Sequence, residues 1–139
     1  VLAAESMKLR TGYAAIGLSP DAGASYFLSR RVGPVRAQQW LMLSEPIDSQ
    51  RCLATGAVDA VYPDAGLAAA GEVLVTRLAA GASASFAGIK ALCGGAPGRP
   101  IEEHFAMEQT LLHERAGSAD AREGVAAFVA KRAPRFTGR

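Results

Sequence analysis

The residues best suited to chemistry fall in one short stretch: Pro20 and Asp21, followed by Ala22, Gly23 and Ala24. A carboxylate placed after a proline, among small side chains and just before a helix-forming segment, has two uses. It can cap the helix by accepting hydrogen bonds from the free N–H groups of the first turn. It can also act on a ligand, because small residues let another molecule approach closely and a helix N-terminus favours a nearby negative charge. Residue types and spacing leave both uses open. The remaining titratable groups carry less. His104 and His113 lie in a helical stretch with no visible ligand partner, and read as surface or interface histidines. Lys131 and Arg132, taken alone, are the solvated end of a helix whose charge suits the macrodipole.

The elements that must position these residues follow from periodicity and breakers. Val1 to Leu9 is apolar at both ends and predicts a buried strand; Arg10-Thr11-Gly12 breaks it, and Tyr13 to Ile16 predicts a second short extended piece. Pro20 disfavours helix at Ser19, and Asp21 is an expected N-cap for a helix over Ala24 to Val32, stopped by Gly33-Pro34. Val35 to Leu43 is the next helix, with Ala37, Trp40 and Leu41 apolar and Trp40 expected in the core. Asp48 or Ser49 can cap a short helix that Gly56 ends, and Val58 to Tyr62 predicts a strand. Beyond Gly66 the text is helical: Leu67–Ala80, Ser83–Cys93, Ile101–Arg115 and Ala119–Ala133. Ile101, Phe105, Glu108 and Leu112 share one stripe, and Val125, Phe128 and Val129 mark the expected inner face of the last helix.

Composition narrows the classes. The chain has 139 residues, half of them hydrophobic and a fifth charged, with a net charge of +2. That is enough for one core and too little charge to argue for nucleic acid or a membrane surface. No apolar run reaches the roughly 20 residues of a membrane span. Cys52 and Cys93 are far apart and read as free thiols of a cytoplasmic protein. No charged-then-apolar leader suggests export. The abrupt apolar start without Met reads as the middle of a strand, and so as the tail of a longer protein.

The run from Ile16 to Gly33 resembles the signature of the crotonase superfamily, the enoyl-CoA hydratase/isomerase family: a G-[LI]-x-P-x-x-G-[GA] loop leading into L-x-R-x-V-G. The resemblance continues in order. Ala37 and Leu41-Met42-Leu43 are similar to the family's A-x-x-L-x-L-T helix, with Ser44 where Thr is usual. Gly56 to Val61 is similar to its G-L-V-x-x-V, and Glu123 to Arg132 to its E-G-x-x-A-F-x-E-K-R terminus, with Ala130 in place of Glu. It implies an α/β fold, the C-terminal part of a crotonase-like ββα spiral. Residues 1–63 would be spiral core carrying the Pro20-Asp21 loop, and 64–139 a helical region for trimer or hexamer assembly and coenzyme A contact.

Members of that family bind acyl-CoA thioesters and stabilise an enolate-like oxyanion with two backbone N–H donors, which can contribute several kcal/mol of barrier reduction. Both donors, and the first hydratase glutamate, lie in the family pattern upstream of the matched part. The second hydratase glutamate precedes the G-x-x-P loop, and Tyr13 stands in its place. A phenol with an ordinary pKa of about 10 is a poor base at neutral pH. Asp21 matches the acid that shuttles a proton in isomerase-like relatives and is the nucleophile in aryl-CoA dehalogenases. The resemblance therefore implies an enoyl-CoA isomerase, with Asp21 taking a proton from a 3-enoyl-CoA and returning it to the far carbon. Tyr13 has two readings, a partner that bonds the thioester or Asp21, and a half-buried tyrosine that only lines a pocket. Hydratase is the second reading, and dehalogenase a third. A truncated remnant that assembles without catalysing is the rival outside enzymes. Lys131 is similar to the family lysine that reaches a coenzyme A phosphate, and Leu112 and Phe128 fall where the family packs the acyl tail or adenine, with plain core residues as the alternative for these two. Coenzyme A would come as part of the substrate, with no separate cofactor, no metal, no nucleic acid and no membrane.

Overall fold

Glu5 and Ser6 are polar, and there the apolar opening stretch turns rather than continuing. In the computed structural model, which describes residues 1–139, the expected single strand is two: β1 (Leu2–Ala4) and β2 (Lys8–Leu9). The Ser6 backbone N–H and hydroxyl both donate to the Asp64 carboxylate and fix this turn. β1 pairs in parallel with β4 (Ala60–Tyr62), and β2 pairs antiparallel with β3 (Ile47–Asp48). The chain divides into two compact units, Val1–Glu72 and Val73–Arg139.

In the first unit, Pro34 opens α2 (Pro34–Leu43) at the position where its missing N–H costs nothing. Gly33 joins it to α1 (Ala24–Val32) at φ 81°, a conformation that a side chain would strain. Spacing of three and four places Ala37, Trp40 and Leu41 on the buried face of α2. With Ala3, Val32, Ile47, Cys52 and Val58 they form the core, and Trp40 is 3% exposed. Its indole Nε1 finds no hydrogen-bond partner. Asp48 caps α3 (Ser49–Ala54) by accepting from the Arg51 N–H at 2.7 Å, and Gly56 follows in the left-handed conformation at φ 79°.

Three expectations need correction here. Tyr13 to Ile16 is not extended: Ala14–Ile16 is a 3₁₀ turn, because Gly17 takes up φ 75° and returns its N–H to the Ala14 carbonyl. The strand expected from Val58 begins only at Ala60, since the N–H groups of Ala57 and Val58 are bound to the Cys52 carbonyl. Asp21 does not cap α1. Gly23 holds the N-cap position at φ 78°, with no side-chain cap bond.

In the second unit α5 (Ser83–Gly95), α6 (Ile101–Ala116) and α7 (Ala119–Val129) follow α4 (Leu67–Ala79), which crosses the boundary in sequence. Helix α7 ends four residues before the expected Ala133, in a turn where Lys131 N–H donates to the Phe128 carbonyl and Arg132 N–H to that of Ala127. These two bonds make a Schellman motif with Lys131 in the left-handed seat usually given to Gly. The inner face of α7 also differs from expectation. Asp120 and Ala127 are buried, whereas Val125, Phe128 and Val129 face outward, Phe128 at 85% exposure. Small Ala127 lets the helix pack closely, and Asp120 is drawn in by the chain that follows it. Cys52 is buried and Cys93 exposed, and neither is bonded to the other. No single helix is long and apolar enough to cross a membrane.

Candidate active site

The loop from Gly17 to Gly23 is shaped by residues at both ends. The Tyr13 carbonyl accepts from the N–H groups of Ile16 and Leu18, at 3.1 and 3.0 Å, so the turn closes over Tyr13. At the other end Ala22 adopts φ 48° and Gly23 φ 78°, and the Ala24 N–H donates to the Asp21 carbonyl at 2.9 Å. Two successive left-handed residues, one of them not glycine, cost backbone energy, and such strain gathers at functional sites. Gly23 is also a close approach: a Cβ there would lie 2.8 Å from the Phe27 ring.

The result brings two of the predicted residues together. The Tyr13 hydroxyl donates to Asp21 Oδ1 at 2.9 Å. Asp21 is exposed, Tyr13 half-buried. That bond to Asp21, together with desolvation and the carboxylate's charge, pushes the Tyr13 phenol above its ordinary value, so it stays protonated and cannot serve as a base. Ile16, Leu18, Tyr26 and Phe27, in the loop and the first turn of α1, leave large apolar surface open beside this carboxylate. Tyr26 and Phe27 meet edge to face at 5.3 Å.

The other predicted residues lie in the second unit. Leu112 lines an open groove between α5 and α6, walled also by Ile89, Leu92, Phe105 and Leu111. Phe128 is not among its walls. Phe128 and Lys131 stand exposed at the end of α7. His104 is set between Arg99 Nη1 at 3.1 Å and Glu108 Oε1 at 3.4 Å. No group of three or more His, Cys, Asp or Glu side chains is placed to hold a metal.

Sequence reasoning missed two carboxylates in this unit. Asp120, 6% exposed, accepts from the N–H groups of Thr137 and Gly138 at 2.7 and 2.8 Å. Glu123 accepts from both terminal guanidinium nitrogens of Arg132, at 2.6 and 2.8 Å, and from the Arg135 N–H. Together they bind the segment after Lys131 back onto α7. The available signal was two acids three apart near the start of a helix, followed by a run containing Lys131, Arg132, Arg135 and Arg139.

The family model described as enoyl-CoA hydratase/isomerase matches residues 1–139. The chain belongs to the enoyl-CoA hydratase/isomerase family. It is 37% identical over its whole length to a Rhodobacter capsulatus protein named "Probable enoyl-CoA hydratase", covering 54% of that protein. It is 32% identical to the 1,2-epoxyphenylacetyl-CoA isomerase of Escherichia coli, with all of this chain and 53% of that one aligned. Among solved structures, an enoyl-CoA hydratase from Polaromonas sp. superposes with a TM-score of 0.92 at 30% identity, over 99% of this chain and 53% of that one. The fold is thus the crotonase fold, with mixed α/β character, mostly helical and with few short strands. This member of the enoyl-CoA hydratase/isomerase family spans about half the length of the curated relatives it matches.

Proposed function

We propose that the whole protein is an enoyl-CoA isomerase in which Asp21 carries a proton between two carbons of the acyl chain. The observation that carries this reading is the placement of the Asp21 carboxylate. It caps no helix, stands in a strained loop beside open apolar side chains, and is held on one oxygen by a neutral phenol. A carboxylate released from structural duty and left beside apolar surface is suited to general-base work on a C–H next to a thioester. One such group suffices for a double-bond shift, because it gives back the proton that it took. Two relatives are named isomerases, in agreement with this reading, the E. coli protein and the trans-2-decenoyl-[acyl-carrier-protein] isomerase of Streptococcus mutans. Hydration is the second reading, favoured by the name of the R. capsulatus relative.

Within the same reading, Lys131 meets a coenzyme A phosphate, and Phe128 and Leu112 supply apolar surface for the acyl-CoA. The protein works in the cytoplasm without a separate cofactor, as a trimer or hexamer built through the outward faces of its helices.

Asp21→Asn in the full-length protein is the test, because the amide keeps the size of the side chain and an oxygen for Tyr13 but cannot accept the substrate proton. Conversion of 3-enoyl-CoA should fall by on the order of 100- to 10,000-fold, with acyl-CoA affinity and the thermal melt nearly unchanged. A variant with near-full isomerase activity would return Asp21 to a structural role and bring hydration forward.

A further inference from the structure

We propose that Tyr13 is a positioning residue that divides the work of the Asp21 carboxylate, holding Oδ1 so that Oδ2 alone exchanges the substrate proton. This rests on the isomerase reading and adds to it. The bonded oxygen is Oδ1; Oδ2 accepts no hydrogen bond within the chain. A carboxylate on an exposed loop turns easily, since its last torsion has a broad, roughly two-fold profile. The tie through Tyr13 removes that freedom.

Tyr13 can do this because its own backbone is anchored to the core. Its N–H donates to the Thr11 carbonyl at 2.6 Å, and the Thr11 hydroxyl donates to the Trp40 carbonyl at 3.0 Å. Trp40 is a buried residue of α2. The path from buried helix to exposed loop is therefore Trp40, Thr11, Tyr13, Asp21. A charge-assisted O–H···O⁻ bond is stronger than a neutral one and defines direction as well as distance. On the α1 side, Arg30 donates to the Tyr26 hydroxyl at 3.3 Å, so that tyrosine is engaged with its own helix.

The step balances without any other reactant. The C2 proton of a 3-enoyl-CoA passes to Oδ2, and the C–H electron pair becomes part of a dienolate. The C3–C4 double bond shifts to C2–C3 as C4 takes the same proton back from Oδ2. A carboxylate that cannot turn keeps that proton between the two carbons. A loosened one exposes it to water before return.

The decisive measurement uses 3-enoyl-CoA deuterated at C2 and the full-length protein. The wild-type enzyme should return part of the label to C4. Tyr13→Phe, which keeps the ring, should lower kcat by about 10-fold with KM little changed, and should lose label to solvent. Thr11→Val, which leaves both Tyr13 and Asp21 in place, should shift retention in the same direction by less. Retention and kcat at the wild-type level in a folded Tyr13→Phe would overturn the proposal, as would complete washout in the wild type. An active Asp21→Asn enzyme would instead remove the isomerase reading beneath it, so the two failures are separable.

Discussion

At the scale of single residues, three side chains occupy backbone conformations that favour glycine, Ala22 at φ 48°, Ser44 at φ 55° and Lys131 at φ 52°. Each costs stability, by roughly 1 kcal/mol for an L-residue in the left-handed region. Ala22 sits beside Asp21, and Lys131 is the residue proposed to meet a phosphate. Lys131→Gly should therefore act in opposite directions on two readouts. The Schellman turn gains its preferred residue, so the melting temperature rises. The cation is lost, so affinity for an acyl-CoA falls several-fold. Calorimetry and titration on one preparation check both, and affinity unchanged in a more stable variant would leave Lys131 without a ligand role.

At the scale of elements, α7 and the segment after it are joined by charge, through Glu123 and Asp120, as well as by the Phe136 ring lying over Gly124. The bonds from Arg132 hold the Glu123 carboxyl down to about 2 from its ordinary 4.5. A folded value below the unfolded one means the contribution is complete above about 4.5 and is lost as the pH falls toward about 2. Glu123→Gln should lower the melting temperature at neutral pH, and the gap between variant and wild type should close across that window. Glu123 is solvent-accessible, so salt should narrow the gap as well. A gap independent of pH would mean that Glu123 stabilises the turn by some means other than its charge.

At the scale of the whole molecule, the helical unit leaves much apolar surface open: Ile101, Phe105, Leu112 and Phe128 are all more than half exposed. Surface of that kind in a folded chain marks a place where something else docks, and assembly between copies is the use proposed above. Phe105→Asp should move the full-length protein to a smaller species in light scattering while the melt of the strand-bearing core is retained. An unchanged mass would place the subunit contact away from α6.

Much of this was legible in the sequence because it depends on neighbours close along the chain. Helix spans follow from apolar spacing and from Gly and Pro: α1, α2 and α4 to α6 fall within two or so residues of their expected bounds, and Trp40 lies in the core as its spacing on α2 requires. The family was legible for the same reason, since its motifs are local and occur in order. What the sequence could not decide depends on groups brought together from a distance. Whether Asp21 capped α1 turned on two backbone angles, at Ala22 and Gly23, that residue preference does not dictate. That Tyr13 would reach it needed the 3₁₀ turn, not the extended piece that composition suggested. The outward Phe128 and inward Asp120 reversed the expected face of α7, because three hydrogen bonds from Thr137 and Gly138 compensate a carboxylate for leaving water. Hydrophobic spacing finds a helix, but which of its faces is buried is settled by the partners that fold against it.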